Sequence, residues 1–167
     1  LVARVQELTL LSEVGRAIVS AELDVARLAD LIYKQAAQIV DTRFFQVGLF
    51  EGDCYRTVIW VRDGERAPNV CFTLTPDNEG IVGWMRRSRQ PLLVRDFEAE
   101  MDSLPAKPRY LSTDPPRSAI FVPLVARDEA IGGMAIQSRA PHAFTANELH
   151  LLAIVANQVS AALANAI

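Results

Sequence analysis

The sequence predicts an α+β domain: a central antiparallel sheet of about five to six strands, terminal helices on one face, and a short helix and lid segment on the other. Three observations carry this prediction. Both ends of the 167-residue chain have helical periodicity, and the strand-forming runs lie between them. Residues 118–125 and 131–138 are β-rich runs around a polar turn, Arg127-Asp-Glu129. Residues 121–125 and 58–61 show little polar alternation, the mark of strands covered on both faces.

Residues 1–19 read as a helix, with Val5, Leu8, Leu11, Gly15 and Ile18 on one side and Arg4, Glu7, Glu13 and Arg16 mostly off it. Residues 20–23 break the pattern. Asp24 then suits the N-cap of a second helix with the stripe Leu28, Leu31, Ile32, Ala36 and Ile39, ending near Asp41. Residues 44–50 and 55–62 form a hairpin around the turn Glu51-Gly-Asp53. Asp63-Gly64 and Pro68-Asn69 mark loops, and residues 70–74 form a short strand. Pro76-Asp-Asn-Glu79 opens a short helix over residues 80–87, followed by a brief extended piece at 91–94. Residues 96–116 hold prolines 105, 108, 115 and 116 among acidic and polar residues, which fits either a lid over a pocket or an exposed insertion. After the later strand pair, Thr145 caps the final helix, Glu148 closes a capping box, and Phe144 staples against Leu149.

Composition narrows the function classes. Half the residues are apolar and 22% are charged, as in an ordinary globular protein. A net charge of −3 gives no ground for nucleic acid or an anionic membrane as a partner. Cys54 and Cys71 form no CxxC pair, a pattern that fits a reducing compartment and hence a cytoplasmic location, with no disulfide framework. No run is read as approaching the ~18 apolar residues of a membrane span, and no signal-peptide pattern is present. The chain begins in helical pattern without a cap and ends on Ala164-Asn-Ala-Ile167 without a stop signal. Residues 1–167 are therefore expected to be a single domain excised from a larger protein.

Two stretches carry a family likeness. Gly80-Ile-Val-Gly-Trp-Met85 leads to Gln90-Pro-Leu-Leu-Val-Arg-Asp96, and residues 118–163 run strand, turn, strand, Pro-led loop and helix, with Val122-Pro-Leu124 and Gly132-Gly133 in the strands. In that order and spacing they resemble the GAF domain, a sensing module of signalling proteins with a PAS-like sheet. The resemblance implies a ligand pocket between the sheet and the short helix and lid, dimerisation through terminal helices, and no catalysis. It implies a small-molecule-sensing input module of a sensor histidine kinase, with a diguanylate cyclase or transcription regulator as other parents and a ligand-free transmission module as the alternative. The ligand is unknown. Residues 96–118 have no cysteine to tether a bilin. Phe144 matches cyclic-nucleotide-binding members, but Glu148-Leu149 stands where Asp-Glu is required and no Asn-Lys precedes it. Methionine-sulfoxide-reducing members use more cysteines than two. Haem would need a pocket histidine, and His142 and His150 fall in a loop and a helix start.

Inward strand positions and the lid supply the candidate ligand-binding residues: Cys71, Thr73, Ile81, Trp84, Phe97, Tyr110, Phe121 and Met134, each equally explicable as core packing. Cys71 is read as a small hydrophobe in a buried strand. Arg86, Arg87, Arg89 and Arg95 make either an anion site or a favourable set of cations at a helix C-terminus beside the acidic run from Asp96, and the second reading is preferred. No metal-ligand or catalytic-triad spacing is evident, and Gly132-Gly133 is read as allowing close backbone approach. Residues 151–167 contain no charge. Leu152, Ala156, Val159 and Leu163 form one stripe, and a second stripe spreads beyond it. The expected homodimer surface is Leu151, Val155, Ala162 and Ala166, with Leu1, Val5 and Leu8 of the first helix.

Overall fold

The computed structural model describes residues 2–21, 24–109 and 114–167. Helices α1 (Val2–Ser20) and α2 (Val25–Ala37) lead into strands β1 (Phe44–Glu51) and β2 (Cys54–Arg62) and the short strands β3 (Glu65–Arg66) and β4 (Cys71–Thr73). Helix α3 (Gly80–Ser88), strand β5 (Leu92–Val94) and the single-turn helix α4 (Phe97–Glu100) follow. Strands β6 (Ser118–Ala126) and β7 (Glu129–Ser138) and helix α5 (Ala146–Ala166) complete the order. The strands make one antiparallel sheet, β3-β2-β1-β7-β6-β5, with β4 also paired to β2. The α+β architecture is as expected; β3, α4 and a 3-10 turn over Met101–Ser103 are additions.

Strand alternation sorts the core into two layers. Phe45, Val47, Ile120, Val122, Met134 and Ile136 pack with α1, α2 and α5 in the larger core. On the opposite face Ala119, Phe121 and Ala135 meet Ile81, Met85 and Phe97 in a smaller core. Strand β6 is buried continuously from Ser118 to Leu124, as its apolar run requires. Strand β2 instead alternates, because α3 packs on β6 and β7 and leaves the β2 side of that face half-covered.

The helix starts follow their local chemistry. Asp24 accepts a hydrogen bond from the Arg27 backbone at 3.1 Å. The Thr145 hydroxyl accepts from the Glu148 N–H at 3.1 Å, and Glu148 accepts from the Thr145 N–H at 2.8 Å. Helix α5 corrects two expectations. By length and composition it is apolar enough to cross a membrane, with a mean hydropathy of 1.4. Its apolarity has a local cause, since it lies between the sheet and helices α1 and α2. Leu151, Val155 and Ala162 are consequently buried inside the chain and present no surface to a second copy. Ala166 is half-buried against the same core, Val5 and Leu8 are exposed on α1, and Leu1 lies outside the described residues.

The cysteines are a further correction. Cys54 and Cys71 are joined by a disulfide, with Cα atoms 5.8 Å apart. The β2–β4 pairing, invisible in a seventeen-residue separation, brings them together. Cys71 is exposed, not buried.

Candidate ligand-binding cleft

A cleft lies between the lid and the face of the sheet that carries the smaller core. Its position follows from side-chain size. Gly48 and Gly133 face each other across β1 and β7. A Cβ on Gly48 would stand 2.3 Å from the Tyr55 ring, and one on Gly133 2.3 Å from Met85 Cε. Tyr55 and Met85 therefore fill the space above the glycines, and the open volume is displaced along the strands toward Gln46, Ala135 and Gln137. It has two lobes. The inner, about 60 Å³, lies among Tyr55, Phe72, Ile81, Phe97 and Phe121. The outer, about 110 Å³, lies among Phe44, Trp60, Ala135 and Arg139. Gln46, Arg109 and Gln137 border both lobes.

Of the expected ligand-binding residues, Ile81, Phe97 and Phe121 line the inner lobe. Trp84 packs half-buried against the smaller core and borders neither lobe. Cys71 and Thr73 are exposed on β4. Met134 points into the larger core, because the alternation of β7 sends it to the helix face while Gly133 and Ala135 face the cleft. Tyr110 lies outside the described residues. Sequence reasoning passed over Gln46 and Gln137; Gln46 interrupts the otherwise apolar run 44–50, which was an available signal, whereas Gln137 stands beside Ser138 at the end of β7 and gave none.

The charges of the cleft are mostly engaged. Arg109 Nη1 donates to the Thr73 carbonyl at 3.0 Å and the Asn78 carbonyl at 3.2 Å, tying the lid to β4 and to the loop before α3. Arg139 lies 3.3 Å from Asp63 and 2.6 Å from Asp114, with its guanidinium over the Phe44 ring. Arg62 stacks over Trp60 at the exposed rim. Gln46 Oε1 is fully enclosed and, among the described residues, has no hydrogen-bond partner.

The base of the lid is pinned. Asp96 caps α4 by accepting from the Glu98 N–H at 3.1 Å, and it forms an ion pair with Arg117 at 3.1 Å. The Phe97 N–H also donates to the Arg117 carbonyl at 2.8 Å. The Arg117 guanidinium, against the opposing effect of burial, holds the Asp96 carboxyl below the usual carboxylate range. The arginines after α3 spread out: Arg86 donates to the Gly52 carbonyl at 2.7 Å, Arg87 pairs with Glu79, and Arg89 donates to the Asp128 carbonyl. His150 lies on α5 within 2.7 Å of Glu7 on α1, in the helix layer. Among the described residues, no group of three or more His, Cys, Asp or Glu side chains could hold a metal.

The sequence model of the GAF domain family matches residues 22–164. Solved structures of the same fold include the GAF domain of an Acinetobacter phosphoenolpyruvate-protein phosphotransferase, at 17% identity and TM-score 0.69, covering 96% of this chain and 94% of that one. A GAF sensor protein from Burkholderia vietnamiensis aligns at 21% identity and TM-score 0.67, covering 98% and 97%. A free methionine-R-sulfoxide reductase from Neisseria meningitidis, in complex with its substrate, aligns at 19% and 0.68, covering 96% and 89%. No curated protein matches the sequence. With the family match spanning most of its length, this chain belongs to the GAF domain family, the sensor modules of signalling proteins.

Proposed function

We propose that this GAF domain is the small-molecule-sensing and dimerising input module of a multidomain signalling protein, a sensor histidine kinase before a diguanylate cyclase or transcription regulator. The observation that carries the sensing role is the cleft itself: aromatic walls, a pinned lid and one enclosed acceptor oxygen without a donor. A ligand that prefers one lid arrangement would bias the sheet and, through it, the helices behind. In this reading the domain acts by binding, not catalysis. Its partners are a second copy, adjoining domains and the ligand, with neither nucleic acid nor membrane involved. In the cytoplasmic setting of this reading, the Cys54–Cys71 bond is a reducible one.

Helix α1 supports dimerisation, with Val2, Val5 and Leu8 exposed at 82%, 57% and 56%. The same stripe also favours a second reading, a ligand-free module that only holds two subunits together. Native mass spectrometry of the purified chain separates them. A dimer with a reproducible extra mass is the expected result; a dimer of bare protein mass favours the ligand-free module, and a monomer overturns the dimerising role.

A further inference from the structure

We infer that the cleft takes a small, flat, neutral ligand with a lactam edge, an N–H beside a C=O on one ring, and that Gln46 reads that edge. The inference rests on the cleft being a ligand site, as proposed above. Its first support is the orphan oxygen. Nearly all enclosed polar atoms in folded proteins have a partner, and Gln46 Oε1 has none among the described residues. Gln35 on α2 carries a similar orphan oxygen, but it borders neither lobe. A carboxamide presents one donor and one acceptor side by side, and a lactam presents their complement. The match holds whichever way the amide is turned.

A second carboxamide stands close by. Gln46 is opposite Ala135 and Phe44 is opposite Gln137, so the two glutamines are diagonal neighbours on the same face of adjacent strands. The surroundings suit a flat ring. Phe72 lies nearly parallel to Tyr55, at 20° with centroids 6.5 Å apart, and Trp60 meets Phe72 edge-on at 83°. Charge favours neutrality: Arg139 is held by Asp63 and Asp114, Glu79 by Arg87, and Arg109 is already donating to two carbonyls. The two lobes together hold roughly ten non-hydrogen atoms at one water-sized volume each, which is one ring or two fused rings.

The test titrates uracil and hypoxanthine as lactam probes into the purified chain, with benzoate as a flat anion and toluene as a flat apolar control. Binding is followed by calorimetry and by the side-chain amide resonances of Gln46 and Gln137. At least one lactam should shift the Gln46 signals and bind tenfold or more tightly than either control. Gln46→Leu should weaken that binding at least tenfold, and Gln137→Leu, a second variant should the first fail to fold, several-fold. Unchanged affinity in both variants overturns the inference. Benzoate binding best, and losing affinity in Arg109→Gln, also overturns it while leaving the cleft a ligand site. If no probe binds but native mass spectrometry shows a bound mass, the lactam class falls alone; if neither appears, the sensing role falls with it.

Discussion

The Tyr55 hydroxyl donates to the Gly133 carbonyl at 3.1 Å, reaching from β2 to β7 over the intervening β1. The reach is possible because Gly48 lies beneath the ring with no side chain. Gly48→Ala should displace Tyr55 and cost about 1–3 kcal/mol, the usual range for overpacking. Gly15→Ala on α1, where nothing lies within 4 Å of the added carbon, should instead stabilise by roughly 0.5–1 kcal/mol through helix propensity. Urea denaturation of the two variants checks the pair, and equal midpoints would contradict the close approach.

The Asp96–Arg117 pin makes lid attachment acid-sensitive. The undocked carboxyl titrates near ~3.9, and Arg117 holds the docked one lower. A depressed pKa contributes attachment that is complete above the undocked value and is lost as pH falls through the docked one. Amide exchange in α4 and residues 114–117, corrected for its intrinsic pH dependence, should therefore accelerate below about pH 4. Asp96→Asn should produce the same acceleration at pH 7, and a silent variant would place the pin elsewhere.

Thiol chemistry tests the β2–β4 strap. Protein unfolded without reductant should titrate as having no free thiol, and after reduction as having two. Replacing Cys54 and Cys71 by serine should cost about 3 kcal/mol on the loop-entropy scale for this separation. A full thiol count before reduction would remove the strap.

The exposed stripe on α1 gives a prediction about assembly. If the chain dimerises as proposed, Val5→Lys together with Leu8→Lys should give monomer in analytical ultracentrifugation while leaving the far-UV circular dichroism of the folded chain unchanged, since neither side chain is in the core. Persistence of the dimer would move the interface off α1.

Elements with strong local signals were legible in the sequence: the capped starts of α2 and α5, the β1–β2 hairpin, and the continuously apolar β6. What depends on tertiary pairing was not. Two-residue β3 exists through its register with Val61 and Arg62. The fate of Met134 turned on which phase of β7 faced the helices, a choice that an apolar run such as Gly132–Ile136 does not reveal. The charge-free part of α5, from Leu151 on, was expected to meet the first helix with part of its second stripe and a second copy with the rest, because no periodicity says how many neighbours a helix has; two helices and the sheet pack against it within the chain. In the cleft, the aromatic and aliphatic walls Ile81, Phe97 and Phe121 were found by hydrophobicity. Gln46 and Gln137 were missed because a polar residue in a strand ordinarily means solvent.

Strand alternation sets how far a binding event has to travel. Gln46 borders the cleft, while its neighbours Phe45 and Val47 are packed among the helices; Gln137 and Ile136 repeat the arrangement on β7. In the sensing role proposed above, the cleft and the helix layer are thus separated by a single peptide unit. A rotation of β1 about its own axis that carried Gln46 toward a ligand would swing Phe45 and Val47 the opposite way, with the strand backbone as the fulcrum.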